Sequence, residues 1–257
     1  MVQMKSSLDE YTRNARLKPA FLVALPLALT VAVLGFKGSA TEGTLFGLAS
    51  SLGFTFLLSQ LVRDRGKAKE PRLFQWWGGK PTTAMLRHRD PRLNGHTRGR
   101  YHMRLGSMLP GINLPTQEHE QADAALADSK YASCVDFLLS KTRDKGRFQL
   151  LFQENINYGF RRNLWAMKPV GITIAMLSLG ALAVITALEA RTDSIPWFAN
   201  ATAIVITSFL LTWWLVRITP NWVKTIADAY AIRLLACIDE LQPNIEGSTS
   251  GKSIPSP

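Results

Sequence analysis

Six arginines fall within eighteen residues of this 257-residue chain: Arg87, Arg89, Arg92, Arg98, Arg100 and Arg104, joined by His88, His96 and His102, with Asp90 the only acid among them. A planar guanidinium fork matches phosphate oxygens two at a time, so such clustering is the electrostatic footprint of a nucleic-acid or nucleotide site. Arg161 and Arg162 add a second pair of candidate phosphate contacts. Anionic lipid offers the same chemistry. The run Arg63-Asp64-Arg65-Gly66-Lys67-Ala68-Lys69 directly follows an apolar stretch, where basic residues commonly grip headgroups. Arg87 lies 25 residues beyond that stretch, too far for simple anchoring to account for it.

Catalytic constellations do not assemble from the sequence. His88-Arg89-Asp90 spells the opening of a protein-kinase catalytic loop, but the metal-binding Asn belongs where Gly95 stands, and Asn94 is one residue short. Gly79-Lys80 fails as a phosphate-binding loop because the earlier glycine is replaced by Phe74. The four histidines, at 88, 96, 102 and 119, have no metal-site spacing, and the two cysteines, Cys134 and Cys237, have no legible catalytic partners. The expectation is a protein without enzymatic activity, cofactor or metal.

Helical periodicity is expected to position the arginines. Tyr101, Leu105, Met108 and Leu109 form an apolar stripe, so the arginine block decorates an amphipathic helix. Tyr131, Cys134, Val135 and Leu138 repeat the pattern behind an Asp128 cap. Phe148, Phe152, Ile156, Phe160 and Leu164 step by four, and Val223, Ile226, Tyr230, Leu234, Cys237 and Leu241 mark a further amphipathic helix after Pro220. That last stripe needs a partner, expected to be the domain at 63–168 or a neighbouring subunit.

Four stretches lack ionisable residues: Pro19–Phe36, Gly43–Val62, Pro169–Leu188 and Ser194–Val216, of 18, 20, 20 and 23 residues. As helices they are about 27 to 35 Å long, matching a bilayer's hydrocarbon core. A freely soluble enzyme and a secreted disulfide scaffold are excluded. Of the 30 Lys and Arg, 28 lie in the N-terminal tail, in 63–168 or after 216, and only Lys37 and Arg191 lie in the short loops. Positive flanks stay in the cytoplasm, so both termini and the middle segment are assigned there. A cleavable signal peptide ending near Gly38-Ser39-Ala40 is disfavoured by the length of the first apolar run. Trp165, Trp197, Trp213 and Trp214 lie near span ends, where amphipathic rings settle.

The expected fold is therefore all-α: an integral membrane protein with four transmembrane helices in two hairpins and a mostly helical cytoplasmic domain between them. The divisions are a tail at 1–18, hairpins at 19–62 and 169–216, the basic domain at 63–168 with net charge +10, an amphipathic helix at 217–241 and a disordered tail at 242–257. No ionisable group lies within a span, which argues against an ion-coupled transporter. Thr44, Ser51, Thr55 and Ser59 share one helical face, and Asn200 and Thr207 another. Such residues serve helix contacts or line a pore; Ser51, Thr55, Ser59, Asn200 and Thr207 are the pore-lining candidates.

The strings Trp76-Trp77-Gly78-Gly79-Lys80-Pro81-Thr82-Thr83-Ala84-Met85-Leu86-Arg87-His88-Arg89-Asp90, Glu154-Asn155 and Tyr158-Gly159-Phe160-Arg161-Arg162-Asn163-Leu164-Trp165-Ala166-Met167-Lys168-Pro169 resemble a group of bacterial four-span membrane proteins. The chain also resembles the membrane effectors of anti-phage defence, in particular the effector of the Hailong system. That resemblance implies a homotetrameric channel in the bacterial inner membrane, held shut by DNA oligomers that a nucleotidyltransferase-like partner makes, whose opening depolarises the cell. It assigns no role to any residue here. The sequence thus carries two expectations: an oligomeric channel gated by nucleic acid or an oligonucleotide at the basic domain, and a non-conducting scaffold recruiting a protein or gripping anionic lipid.

Overall fold

The computed structural model describes residues 10–35, 41–190 and 197–241, and for 35 and 41–52 the backbone alone. All regular structure among the described residues is helical. A π-helical stretch, Arg13–Leu17, leads into α1 (Lys18–Gly35). There follow α2 (Thr41–Trp76), α3 (Pro81–Ala84), α4 (Gly95–Met108), α5 (Gln117–Ala122), α6 (Ala124–Lys141), α7 (Gln149–Glu189), α8 (Trp197–Val216) and α9 (Pro220–Ala236), which ends in a 3₁₀ turn at Cys237–Asp239. The chain forms two compact units, Met1–Trp77 with Phe152–Ala227 and Gly78–Leu151 with Asp228–Pro257.

The first unit is apolar inside and out. Ala20, Val23, Leu58, Val62, Leu164, Met167, Leu210, Trp214 and Ile218 pack together, and a second cluster joins Val33, Leu182 and Ala203. Around them Leu57, Leu177, Phe209 and Val216 are each about two-thirds or more exposed, at 69, 70, 67 and 72%. A water-soluble bundle would not leave every long helix with such an outer face; in lipid that face costs nothing. Among the described residues three helical segments are long and apolar enough to cross a membrane: Glu10–Leu34, Gln149–Glu189 and Trp197–Val216. This is a helical membrane protein. The uncharged stretch 43–62 lies within α2, where the side chains of Thr44 and Ser51 fall outside the described residues.

Two devices set the packing of α7 on α8. Gly171 gives room for Trp214, since a Cβ there would stand 2.6 Å from the indole. Lys168 donates through Nζ to the carbonyls of Leu215 and Ile218, at 3.1 and 2.9 Å, placing a cation at the C-terminal end of α8.

The second unit has a core drawn from α4, α6, the start of α7 and the end of α9. Tyr101, Leu105, Tyr131, Cys134, Leu138, Phe148, Leu234, Leu235 and Ile238 are all buried in it. The stripes on 101–109 and 131–138 are therefore interior faces, and the C-terminal stripe from Ala231 onward packs within this unit. Helix starts follow local capping chemistry: Asn94 accepts from His96 N (2.9 Å), Thr116 from His119 N (3.3 Å) and Asp123 from Leu126 N (2.9 Å). The sequence pattern points to Asp128 as the α6 cap. Asp123 holds that place, so α6 starts at Ala124 and Asp128 lies within it.

The compact unit also differs from the 63–168 domain expected. Residues 63–76 continue α2 and 152–168 belong to α7, and both count with the apolar bundle, because the helices do not stop where their apolar runs do. By sequence the second unit carries 14 Lys and Arg against 11 Asp and Glu, a net +3, and the first unit the remaining 16 against 8, a net +8.

Candidate functional site

The arginine block reads on the sequence as free positive charge, yet in the folded unit most of it meets carboxylates. Arg87 is the most fully engaged, with a side chain only 13% exposed. Its Nε and Nη2 donate to the two carboxylate oxygens of Asp128, both at 2.7 Å, and Nη1 donates to the Gly78 carbonyl at 2.7 Å. The turn that presents this carbonyl requires glycine. Gly78 and Gly79 have φ of 74° and 135°, and a Cβ on Gly79 would stand 2.7 Å from Arg87 Nη2. Arg92 bridges two acids, Asp90 in a fork and Asp228 at 2.7 Å. Burial pushes the Asp90 carboxyl up, but the Arg92 hydrogen bonds and charge outweigh this and hold it below the usual range. Arg98 donates to the Asp90 carbonyl at 2.8 Å.

Arg100 and Arg104 share Asp239, at 3.0 and 3.4 Å, and Arg104 also reaches the Leu241 carbonyl at 3.4 Å. Arg89 is the most open of the six, 57% exposed and 3.8 Å from Glu120. Glu120 is itself buried and already accepts from His88 N (2.7 Å) and Tyr131 Oη (2.9 Å). The acids Asp128, Asp228 and Asp239 are distant in sequence from the arginines they neutralise, which is why Asp90 alone registers in a local count. Arg161 and Arg162 belong to the other unit. The former donates to the Trp222 carbonyl at 2.8 Å and stacks over the Trp222 ring at 4.6 Å. The latter is buried, paired with Glu70 at 2.9 Å, and Tyr158 donates to that same Glu70 oxygen at 2.6 Å.

Beside the arginines lies a titratable pair that sequence spacing did not indicate. The rings of His88 and His102 meet edge to face at 4.9 Å, with Nε2 of each bonded to a backbone carbonyl, Pro115 and Leu86 respectively. Burial holds His102 below its ordinary value. Among the described residues no group of three or more His, Cys, Asp or Glu converges as a metal site. Burial also pushes the Cys134 and Cys237 thiols up to about 11, which leaves both inert as nucleophiles while folded.

No family model matches the chain, and no curated protein or solved structure matches it either.

The pore-lining candidates sit inside one chain's bundle. Asn200 and Thr207 on α8 are 2 and 0% exposed, and Trp214 completes the row at the same seven-residue step. Asn200 Nδ2 donates to Glu189 at 2.6 Å, but Asn200 Oδ1, Thr207 Oγ1 and Trp214 Nε1 are buried without a hydrogen-bond partner. Ser59 is buried and spends its hydroxyl on the Phe56 carbonyl at 2.7 Å, and Thr55 is partly buried. The Ser51 side chain falls outside the described residues.

Proposed function

We propose that the chain is the membrane-embedded subunit of an oligomeric ion channel, an effector controlled by an anionic ligand at its helical second unit. The observation that carries this reading is the row of unpartnered polar atoms on Asn200, Thr207 and Trp214 within an apolar bundle. An unmet hydrogen-bonding group away from water costs about 1 to 3 kcal/mol, so a span that only anchors gains by replacing it with Leu or Ala. A span that rearranges to expose such groups to water gains by keeping them. On this reading the structure is a closed form, with α8 the helix that lines the path when it opens. The layout of four spans in two hairpins with both termini in the cytoplasm belongs to the same proposal, as do the four-subunit assembly, the bacterial inner membrane and a role in anti-phage defence. An oligonucleotide ligand supplied by a nucleotidyltransferase-like partner protein completes it. These last elements follow from the resemblance. The test is conductance in planar bilayers: Thr207→Leu is expected to reduce or abolish single-channel current, and wild-type protein that never conducts, with or without oligonucleotide, refutes the reading.

A second reading, a non-conducting scaffold gripping anionic lipid, is favoured by the charge distribution, since the apolar unit carries +8 and the second unit only +3. Subunit number in mild detergent separates the two. A monomer or dimer is too small to enclose a path between copies and supports the scaffold.

A further inference from the structure

With the arginines of 87–104 largely committed to carboxylates, the remaining free guanidinium chemistry of the second unit lies elsewhere. A cavity of about 250 Å³ opens between the turn that precedes α7 and the end of α9, lined by Arg147, Phe148, Gln149, Arg233, Cys237 and Glu240 among others. Arg233 is exposed, and among the described residues its side chain has no ion-pair or hydrogen-bond partner. Arg147 is tethered by one arm only: Nη2 donates to the Glu240 carbonyl at 2.7 Å while the guanidinium lies 5.1 Å over the buried Phe148 ring. Its remaining donors are unspent. The backbone N–H groups of the turn before α7 are already spent, because Asp144 Oδ1 accepts from Gly146 N and Arg147 N, and the Asp144 carbonyl from Phe148 N.

Two guanidiniums on one concave surface, one anchored and one free, form a clamp for a tetrahedral oxyanion. Glu240 also lines the cavity, and a carboxylate there suits a hydroxyl or amino group on the same ligand and disfavours a bare polyanion. We infer that this cavity binds the phosphate of a nucleotide, with Arg147 and Arg233 holding the phosphate and Glu240 taking a sugar hydroxyl or base amino group. The inference rests on the ligand-controlled reading above and names its site. The helix that begins at this cavity, α7, is one of the three candidate membrane-crossing helices, which makes occupancy here a means of acting on a span.

The experiment uses full-length protein in detergent micelles at low salt. It titrates inorganic phosphate, a deoxynucleoside monophosphate, and a short DNA oligomer with and without a 5′-phosphate against wild type, Arg233→Gln, Arg233→Lys and Arg89→Gln, with thermal unfolding as the check on folding. Arg233→Gln is expected to weaken mononucleotide binding by about tenfold or more, Arg233→Lys by less, and Arg89→Gln not at all. Preference for the 5′-phosphorylated oligomer identifies a strand end as a further source of the same phosphate. Oligomer binding that survives Arg233→Gln but falls in Arg89→Gln overturns this site and leaves ligand control intact. Absence of binding by wild type to every probe overturns both.

Discussion

Arg87 separates a structural from a ligand-binding role for the arginine block. The substitution Arg87→Ala removes two bonds to Asp128 and one to the Gly78 carbonyl. Breaking a fully buried ion pair costs about 3 to 5 kcal/mol. Here the Asp128 side chain is 34% exposed, so water recovers part of that loss, and about 2 kcal/mol is the discounted figure. The chain carries its own reporter: its only two cysteines, Cys134 and Cys237, both lie in the second unit, 0 and 2% exposed. Their labelling by a thiol reagent near neutral pH requires opening, because folded thiols titrating near 11 are almost wholly protonated there. A 2 kcal/mol loss raises the open population, and hence the labelling rate when reclosing is fast, by about 30-fold. Full-length protein in micelles is labelled and the rates compared by mass spectrometry. Labelling unchanged from wild type, together with weakened ligand binding, refutes the structural role and returns Arg87 to the ligand.

Three further outcomes follow from the same geometry. Gly79→Ala forces a Cβ onto a residue at φ 135° and towards Arg87 Nη2, and is expected to destabilise the second unit by at least about 1 kcal/mol, read by the same labelling. His102 is held below its unfolded value near 6.5 chiefly by burial, facing His88, Tyr131, Glu120 and Arg98; the unfolded chain therefore binds more protons in the window just below 6.5, so stability is full above it and falls as pH drops through it. Thermal unfolding from pH 7.5 to 5.5 shows that slope, and His102→Gln flattens it. Thr207→Val removes a buried, unpartnered hydroxyl at nearly constant shape, and a thermal gain worth about 1 kcal/mol is expected; a loss instead means that the hydroxyl has a partner in the assembled protein.

The interior faces were legible because burial imposes a period: Tyr101, Leu105 and Met108, and Tyr131, Cys134 and Leu138, lie where three- and four-residue steps put them. The sequence signal failed where partners are distant. Nothing near Arg92 or Arg100 announces Asp228 or Asp239, since ion pairing across more than a hundred residues leaves no local trace. The Asp128 cap failed for a related reason. Two aspartates precede the buried stripe, and only the Arg87 pairing shows which of them is occupied elsewhere. The cavity at Arg147 and Arg233 was invisible because its two halves are 86 positions apart, and the charged run 141–147 that holds Arg147 has no basic counterpart around Arg233.

Domain boundaries decide what a net charge means. Counted along the chain, +10 falls in 63–168 and suggests a nucleic-acid-binding domain; counted by compact unit, half of that excess, +5, passes to the parts of α2 and α7 that continue the apolar stretches. Arg65 and Lys67 on α2 are exposed, and basic residues close to an anionic leaflet contribute about 1 kcal/mol each. Replacing both by Gln is therefore expected to weaken the preference for phosphatidylglycerol over neutral lipid by about 30-fold, measured as enrichment of that lipid around full-length protein in mixed-lipid nanodiscs. The mononucleotide affinity of the second unit should not change. If the lipid preference instead followed Arg233, the charge that matters for the membrane would lie in the second unit, and Arg65 and Lys67 on α2 would have no role in holding lipid.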